Sequence, residues 1–159
     1  MANFKNTNYF YITDKRTVPF NETATGTCST NGTRVDGVGT SFRSEMRAGS
    51  WLVDLTNDEI RQVDQVESDT VAYLKQAFTS DLALGAFDII KATNTQVVSI
   101  SVQVPSSEAT DALVDGETFP KGTSLTFSKD GRDSNKSKDI VDPIIVDATG
   151  TGVQVLIMK

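Results

Sequence analysis

The chain has 159 residues, 38 % of them hydrophobic, a net charge of −6, a single cysteine and no histidine. That length suits one domain or two very small ones, and the missing histidine excludes Ser-His-Asp and Cys-His catalysis. One cysteine forbids an intramolecular disulfide, and an acidic chain repels phosphate backbones, so nucleic acid is not an expected partner.

Residues 1–22 read as an N-terminal arm. Asparagines at 3, 6 and 8 interrupt any long periodic pattern, while Phe4, Tyr9, Phe10, Tyr11 and Phe20 gather aromatic surface. Exposed aromatics are common at interfaces, so these five residues are the candidate partner interface. The alternative is a terminal strand packed on its own domain. The opening MANFKNTNYFYITDKR lacks an uninterrupted apolar stretch, so no secretory signal is expected. No run approaches the roughly 18 apolar residues of a membrane helix.

Residues 23–92 read as a small β-barrel-like module. Thr23–Thr30 is a β-branched strand, Asn31-Gly32 a two-residue hairpin turn, and Thr33–Asp36 the return strand. Gly37 and Gly39 permit a bend. Ser41–Met46 reads as one helical turn, capped by Ser41, with Phe42 and Met46 facing the core. Three strands follow: Trp51–Leu55, with Trp51, Val53 and Leu55 on one face; Ile60–Val66, with a bulge between Ile60 and Val63; and Thr70–Leu74. The turns Asn57-Asp58 and Glu67-Ser68-Asp69 are short, so neighbouring strands are expected to be antiparallel. Lys91–Gln96 is the boundary candidate.

Residues 93–159 read as a sandwich-like C-terminal part. Val98, Ile100, Val102 and Val104 alternate with Ser99, Ser101 and Gln103, the clearest period-2 pattern in the chain. Leu125 and Phe127 repeat it. Ser107–Val114 reads as one short helix or a strand, its helix formers favouring the helix. Lys129–Lys138 is a polar loop in which Lys129, Arg132, Lys136 and Lys138 alternate with acids, a solvated segment rather than a binding patch. Ile144–Val146 and Val153–Ile157 close the chain around a Thr149–Gly152 turn.

Chemistry is sparse. Asp54, Asp58, Asp64 and Asp69 are carboxylates of the kind that could serve glycoside hydrolysis, but each sits where turns ordinarily place an acid. The stretch Asp130–Asn135 offers oxygen ligands without the spacing of a calcium loop. Cys28 reads as a small buried hydrophobe. The sequons at Asn21, Asn31 and Asn135 matter only on a secretory route. Trp51, Tyr73 and Phe78 are read as core residues in preference to a stacking surface. No catalytic residue, metal site or cofactor is assigned.

The segment Thr33–Phe87 resembles a module recurrent in structural proteins of tailed-bacteriophage virions. The matching residues are Gly37-Val-Gly-Thr40-Ser-Phe42, Glu45, Ala48-Gly49-Ser50-Trp51, Arg61-Gln-Val63, Glu67-Ser-Asp69-Thr70 and Gln76-Ala-Phe78-Thr-Ser-Asp81, over about a third of the chain. The family usually carries Gly-Asp where Gly49-Ser50 stands. Asp142–Gly150 is similar to virion proteins as well. The resemblance implies an all-β fold, a barrel or sandwich of short antiparallel strands with one or two helical turns. It further implies a non-enzymatic role as a capsid decoration or auxiliary protein, stabilising the head or anchoring a fibre. Its partners would be the major capsid or neck and tail proteins and further copies of itself, with no nucleic acid, membrane or cofactor. Its place would be the virion, after synthesis in a bacterial cytoplasm. The alternative is a receptor- or glycan-binding module of a fibre or tail.

Overall fold

A computed structural model of the chain describes residues 7–92, 97, 99–108, 110–128 and 142–158. The protein is all-β, with every strand pair antiparallel, and it divides into two compact units. Residues Met1–Pro19 and Thr95–Lys159 form one unit, and Phe20–Asn94 forms the other.

The chain starts in the discontinuous unit with strands β1 (Thr7–Ile12) and β2 (Lys15–Val18). It then builds the continuous unit from β3 (Glu22–Thr23), β4 (Thr27–Asn31), β5 (Arg34–Val38), helix α1 (Phe42–Glu45), β6 (Trp51–Asp54), β7 (Glu59–Val66), β8 (Val71–Leu74) and β9 (Asp88–Ile90). These seven strands make one sheet in the order β3-β9-β6-β7-β8-β5-β4. Its two end strands are pieces of one stretch, so the sheet curls. The 82–87 segment hydrogen-bonds to that stretch through Ala24 N to Phe87 O, the Cys28–Gly85 bridge and Thr30 N to Leu82 O, without completing a continuous barrel.

The curled sheet encloses one core containing Cys28, Val35, Phe42, Met46, Leu52, Val63, Leu74, Phe78 and Phe87. Phe42 meets Phe87 edge to face at 5.8 Å between ring centres. Such a pair adds about 0.5–1.5 kcal/mol beyond its buried area. Phe42 and Met46 face this core as the helical spacing predicts. The face assignment on β6 is corrected. Leu52 points into the core, while Trp51 is half-buried and Val53 is buried outside that cluster. Apolar residues occupy consecutive positions there, so alternation cannot choose a face.

The remaining strands return to the first unit: β10 (Ser99–Gln103), β11 (Ala112–Val114), β12 (Glu117–Phe119), β13 (Ser124–Ser128), β14 (Ile144–Asp147) and β15 (Val153–Met158). They form two sheets, β1-β15-β10-β13 and β12-β11-β14-β2. Ile100, Val102 and Val104 are fully buried, as the alternation predicts; Val98 lies outside the described residues. Val153, Val155 and Ile157 continue that inner face on β15, while Val18, Ala112, Val114, Ile144 and Val146 are buried on the other sheet. The arrangement is sandwich-like.

Three further expectations are revised. Thr7–Val18 does not stand as an arm, because β1 pairs with β15 from Thr7↔Met158 to Ile12↔Val153 and β2 pairs with β14. The register shift on β7 falls between Val63 and Gln65, beyond the expected Ile60–Val63 interval. Of the two readings of Ser107–Val114, the favoured helix gives way to a turn and strand β11. Asp115 and Gly116 both have positive φ, +48° and +80°, which makes a two-residue hairpin joining β11 to β12. This nonlocal pairing outweighs the mild helix propensity of the preceding residues.

Candidate interaction surface

In the continuous unit, the residues that carry the phage-module resemblance lie at its joints. Gly37 packs where any β-carbon would overlap the Thr40 hydroxyl and come within 2.8 Å of the Phe42 ring. Asp69 secures α1: its carboxylate accepts from Arg43 N at 3.0 Å, and its carbonyl accepts from Phe42 N and from Thr40 Oγ1. Ser41, the expected cap, makes no side-chain capping bond; its carbonyl accepts from Ser44 and Glu45 instead. Glu45 accepts from the amide and hydroxyl of Thr25. Arg61 donates to Ala77 O at 2.8 Å and lies over the Phe78 ring at 5.4 Å. Asp81 accepts from Gly32 N at 2.8 Å, pinning the β4–β5 turn.

The other candidate carboxylates are similarly engaged or exposed. Asp54 is buried and accepts from Thr56 N, Asn57 N and Asn57 Nδ2, which shapes the β6–β7 turn. Asp58 holds a left-handed turn position at φ +56°, and Asp64 is exposed on β7. A cleft of about 350 Å³ reaches Asp54 and Asp88, but Asp88 already accepts from Asn21 and Thr23. Cys28 is 1 % exposed, and burial pushes its thiol up to about 12. Tyr73 is half-buried, with its hydroxyl donating to Glu67 and the Arg34 guanidinium above its ring, and Phe78 is buried. No group of three or more candidate metal ligands occurs among the described residues. Among those residues no helix is long and apolar enough to cross a membrane. The Asp130–Asn135 stretch lies outside them.

The expected interface residues separate. Phe4 lies outside the described residues. Phe20 is half-buried at the start of the continuous unit, and Phe10 is half-buried on the inner side of β1 beside Ile12. Of the four that are described, Tyr9 and Tyr11 stand out from the sheet, 60 % and 54 % exposed. Alternation along β1 produces this split, since successive side chains of a strand point to opposite faces.

The pairing register supplies the neighbours of the two tyrosines. Tyr9 stands opposite Leu156, which stands opposite Ser101, which stands opposite Thr126. Tyr11 leads along the next row to Gln154, Gln103 and Ser124, and Met158 lies on the same outer face at 40 % exposure. None of the strand residues of this sheet is charged, although charged residues make up 23 % of the chain. Ser101 and Thr126 share a hydroxyl hydrogen bond at 2.8 Å across the face.

Glu108 anchors one rim of the surface. It accepts from the Tyr11 hydroxyl at 2.7 Å and from Gly152 N at 3.0 Å. That carboxylate holds the Tyr11 pKa above the usual phenol value. Gly152 is needed for the contact, because a β-carbon there would overlap the Tyr11 hydroxyl. Leu156, Met158 and Glu108 were not singled out in the sequence. The period-2 pattern of β15 identifies the first two, because Gln154, Leu156 and Met158 alternate with the buried valines and isoleucine.

No protein-family model matches the chain, and neither does any curated protein or solved structure.

Proposed function

We propose that this chain is a non-catalytic structural protein of a tailed-bacteriophage virion, a decoration or auxiliary protein of the capsid that stabilises the head or anchors a fibre. The observation that carries the reading is the joint-by-joint use of the resembling residues. Gly37, Thr40, Phe42, Glu45, Arg61, Asp69, Phe78 and Asp81 each close a turn, cap the helix or pack the core. A pattern spent on architecture preserves a scaffold and leaves recognition to surfaces, which is how a particle component works. Partners on this reading are capsid, neck or tail proteins and other copies of the chain, met after synthesis in the bacterial host.

Mass spectrometry of purified virions of the encoding phage tests the proposal. The expected result is this chain present in many copies per particle and retained after density-gradient purification. Its absence from such particles would overturn the reading.

A further inference from the structure

We propose that Thr7–Val18 is a strand donor exchanged between copies of this chain: the segment of one copy occupies, in a second copy, the places beside β15 and β14 that it fills in its own. Three observations carry the proposal.

The first is topology. Thr7–Val18 is one stretch, yet its two strands belong to different sheets, β1 beside β15 and β2 beside β14. Each stands at the end of its sheet, so the stretch can leave or enter without parting any other pair of described strands. The remainder, β15-β10-β13 and β12-β11-β14, is the acceptor. Donor and acceptor belong to one unit, but the chain joins them by way of the continuous unit, entered after Pro19 and left after Asn94. Residues 19–21 tie the donor to β3, and residues 91–98 lead from β9 to β10. The closed and exchanged arrangements differ in the course of one of these links, and the longer one reaches roughly 30 Å when extended.

The second is fit. A vacated acceptor leaves β15 without its partners from Thr7↔Met158 to Ile12↔Val153, and β14 without its partners from Lys15↔Asp147 to Val18↔Ile144. Open strand edges recruit another strand. The occupant must also supply apolar side chains where Ile12 and Val18 stand, 3 % and 0 % exposed. A second copy meets all of these demands, because its segment has the same sequence. The segment also brings polar partners of its own. Arg16 Nε donates to Asp14 at 2.6 Å, and the buried Thr17 hydroxyl donates to Pro19 O at 2.7 Å. Those bonds travel with the donor. The bonds that cross to the acceptor, from the Tyr11 hydroxyl to Glu108 and from Ala148 N to Asp14 O, re-form between copies.

The third is the balance between the two forms. Both contain the same pairs of residues, so their contact energies cancel and concentration decides between them; exchange of an identical element is a low-cost route to association. Closure within one chain competes at an effective concentration on the order of 1 mM for a short tether. Dilute copies are therefore closed, whereas copies crowded to that level or held side by side exchange. Each copy carries one donor and one acceptor, so exchange closes as a reciprocal pair or runs on from copy to copy. This inference rests on the topology and does not require the virion assignment.

Refolding of the full chain from urea at about 1 mM and, in parallel, at about 10 µM tests it. The concentrated sample should contain a species of twice 17.2 kDa that persists on dilution to about 10 µM, because release requires strands to unpair. The sample refolded dilute should lack it. Strand identity is read with Tyr9→Cys and Leu156→Cys, at positions opposite each other across β1 and β15. The native Cys28 is 1 % exposed and out of reach of a short thiol crosslinker. A chain with both substitutions, refolded dilute, should crosslink within itself. A concentrated mixture of the two single variants should crosslink between chains at least about tenfold more than a mixture of Tyr9→Cys with Leu84→Cys, a site 60 % exposed in the continuous unit. Circular dichroism establishes that each variant is folded. Absence of a persistent dimer overturns the proposal, as does such a dimer whose chains do not link Tyr9→Cys to Leu156→Cys above the Leu84→Cys level. A double variant that fails to close removes the β1–β15 register on which the proposal stands.

Discussion

Glu59 shows how one carboxylate ties distant pieces of the continuous unit. It accepts from Thr79 N at 2.9 Å and pairs with Arg61 at 2.7 Å, in a site where its side chain is 16 % exposed. The Thr79 hydrogen bond, then the Arg61 charge, holds its pKa below the ordinary glutamate value of 4.5. A depressed folded-state pKa contributes stability that is present above the unfolded value and lost as pH falls through the folded one. Glu59→Gln should therefore cost about 1 kcal/mol at pH 7 and progressively less as the pH falls below 4.5. Urea midpoints of both proteins at pH 7 and pH 3 check this; parallel losses would contradict it. At this scale the sequence was partly legible. Cys28 reads as buried from its place in an alternating strand, and it is. The role of Glu59 was not visible, because Thr79 is twenty residues away and nothing local marks the pair. Asp69 as the cap of α1 was hidden for the same reason.

At the scale of elements, turn chemistry decided which readings held. Asn31-Gly32 marks a hairpin, but the two turn residues are Gly32 and Thr33, with Asn31 paired to Arg34. Gly32 has φ +60° and Thr33 does not share the left-handed region, so a glycine-first turn formed one residue further along. Asp115-Gly116 is an equally strong signal, and the helix formers before it masked it. Gly116 has open space where a β-carbon would go, so its value is conformational alone. Gly116→Ala should destabilise the discontinuous unit by about 1–2 kcal/mol, measured by chemical denaturation, and Gly116→Asn by less, since asparagine tolerates positive φ. Equal stability of the alanine variant would mean that the hairpin relaxes at no cost. Period-2 alternation was reliable on β10, where one face is buried. It failed on β6, where Leu52, Val53 and Asp54 are all buried in succession.

At the scale of the molecule, the all-β class was readable from short alternating runs and turns, whereas the connectivity was not. Pairing between β1 and β15 or β2 and β14 leaves no local trace, and Tyr9-Phe10-Tyr11 looks the same in an arm as in a strand. The observed divisions fall close to the expected ones, after Pro19 and, within the expected Lys91–Gln96 boundary, after Asn94; what changes is that Met1–Pro19 and Thr95–Lys159 belong to one unit. Deleting residues 2–19 removes one strand from each sheet of the discontinuous unit. That unit should lose its fold while Phe20–Asn94 keeps its dispersed amide resonances in a two-dimensional NMR spectrum. Full retention of the spectrum from residues 142–158 would contradict the intrinsic role of β1 and β2.

The pairing of Thr7 with Met158 also sets an order of events during synthesis. Strand β1 leaves the ribosome about 150 residues ahead of the strand it needs, an interval of roughly 10–30 s at bacterial elongation rates. The residues of Phe20–Asn94 are all made within that interval, and its first and last strands already meet at Glu22 and Ile89. The interior piece can therefore be finished while Tyr9, Phe10 and Tyr11 still await their partner. During that wait the nascent chain exposes an uncharged, aromatic segment, TNYFYI, to the other chains on the same polysome.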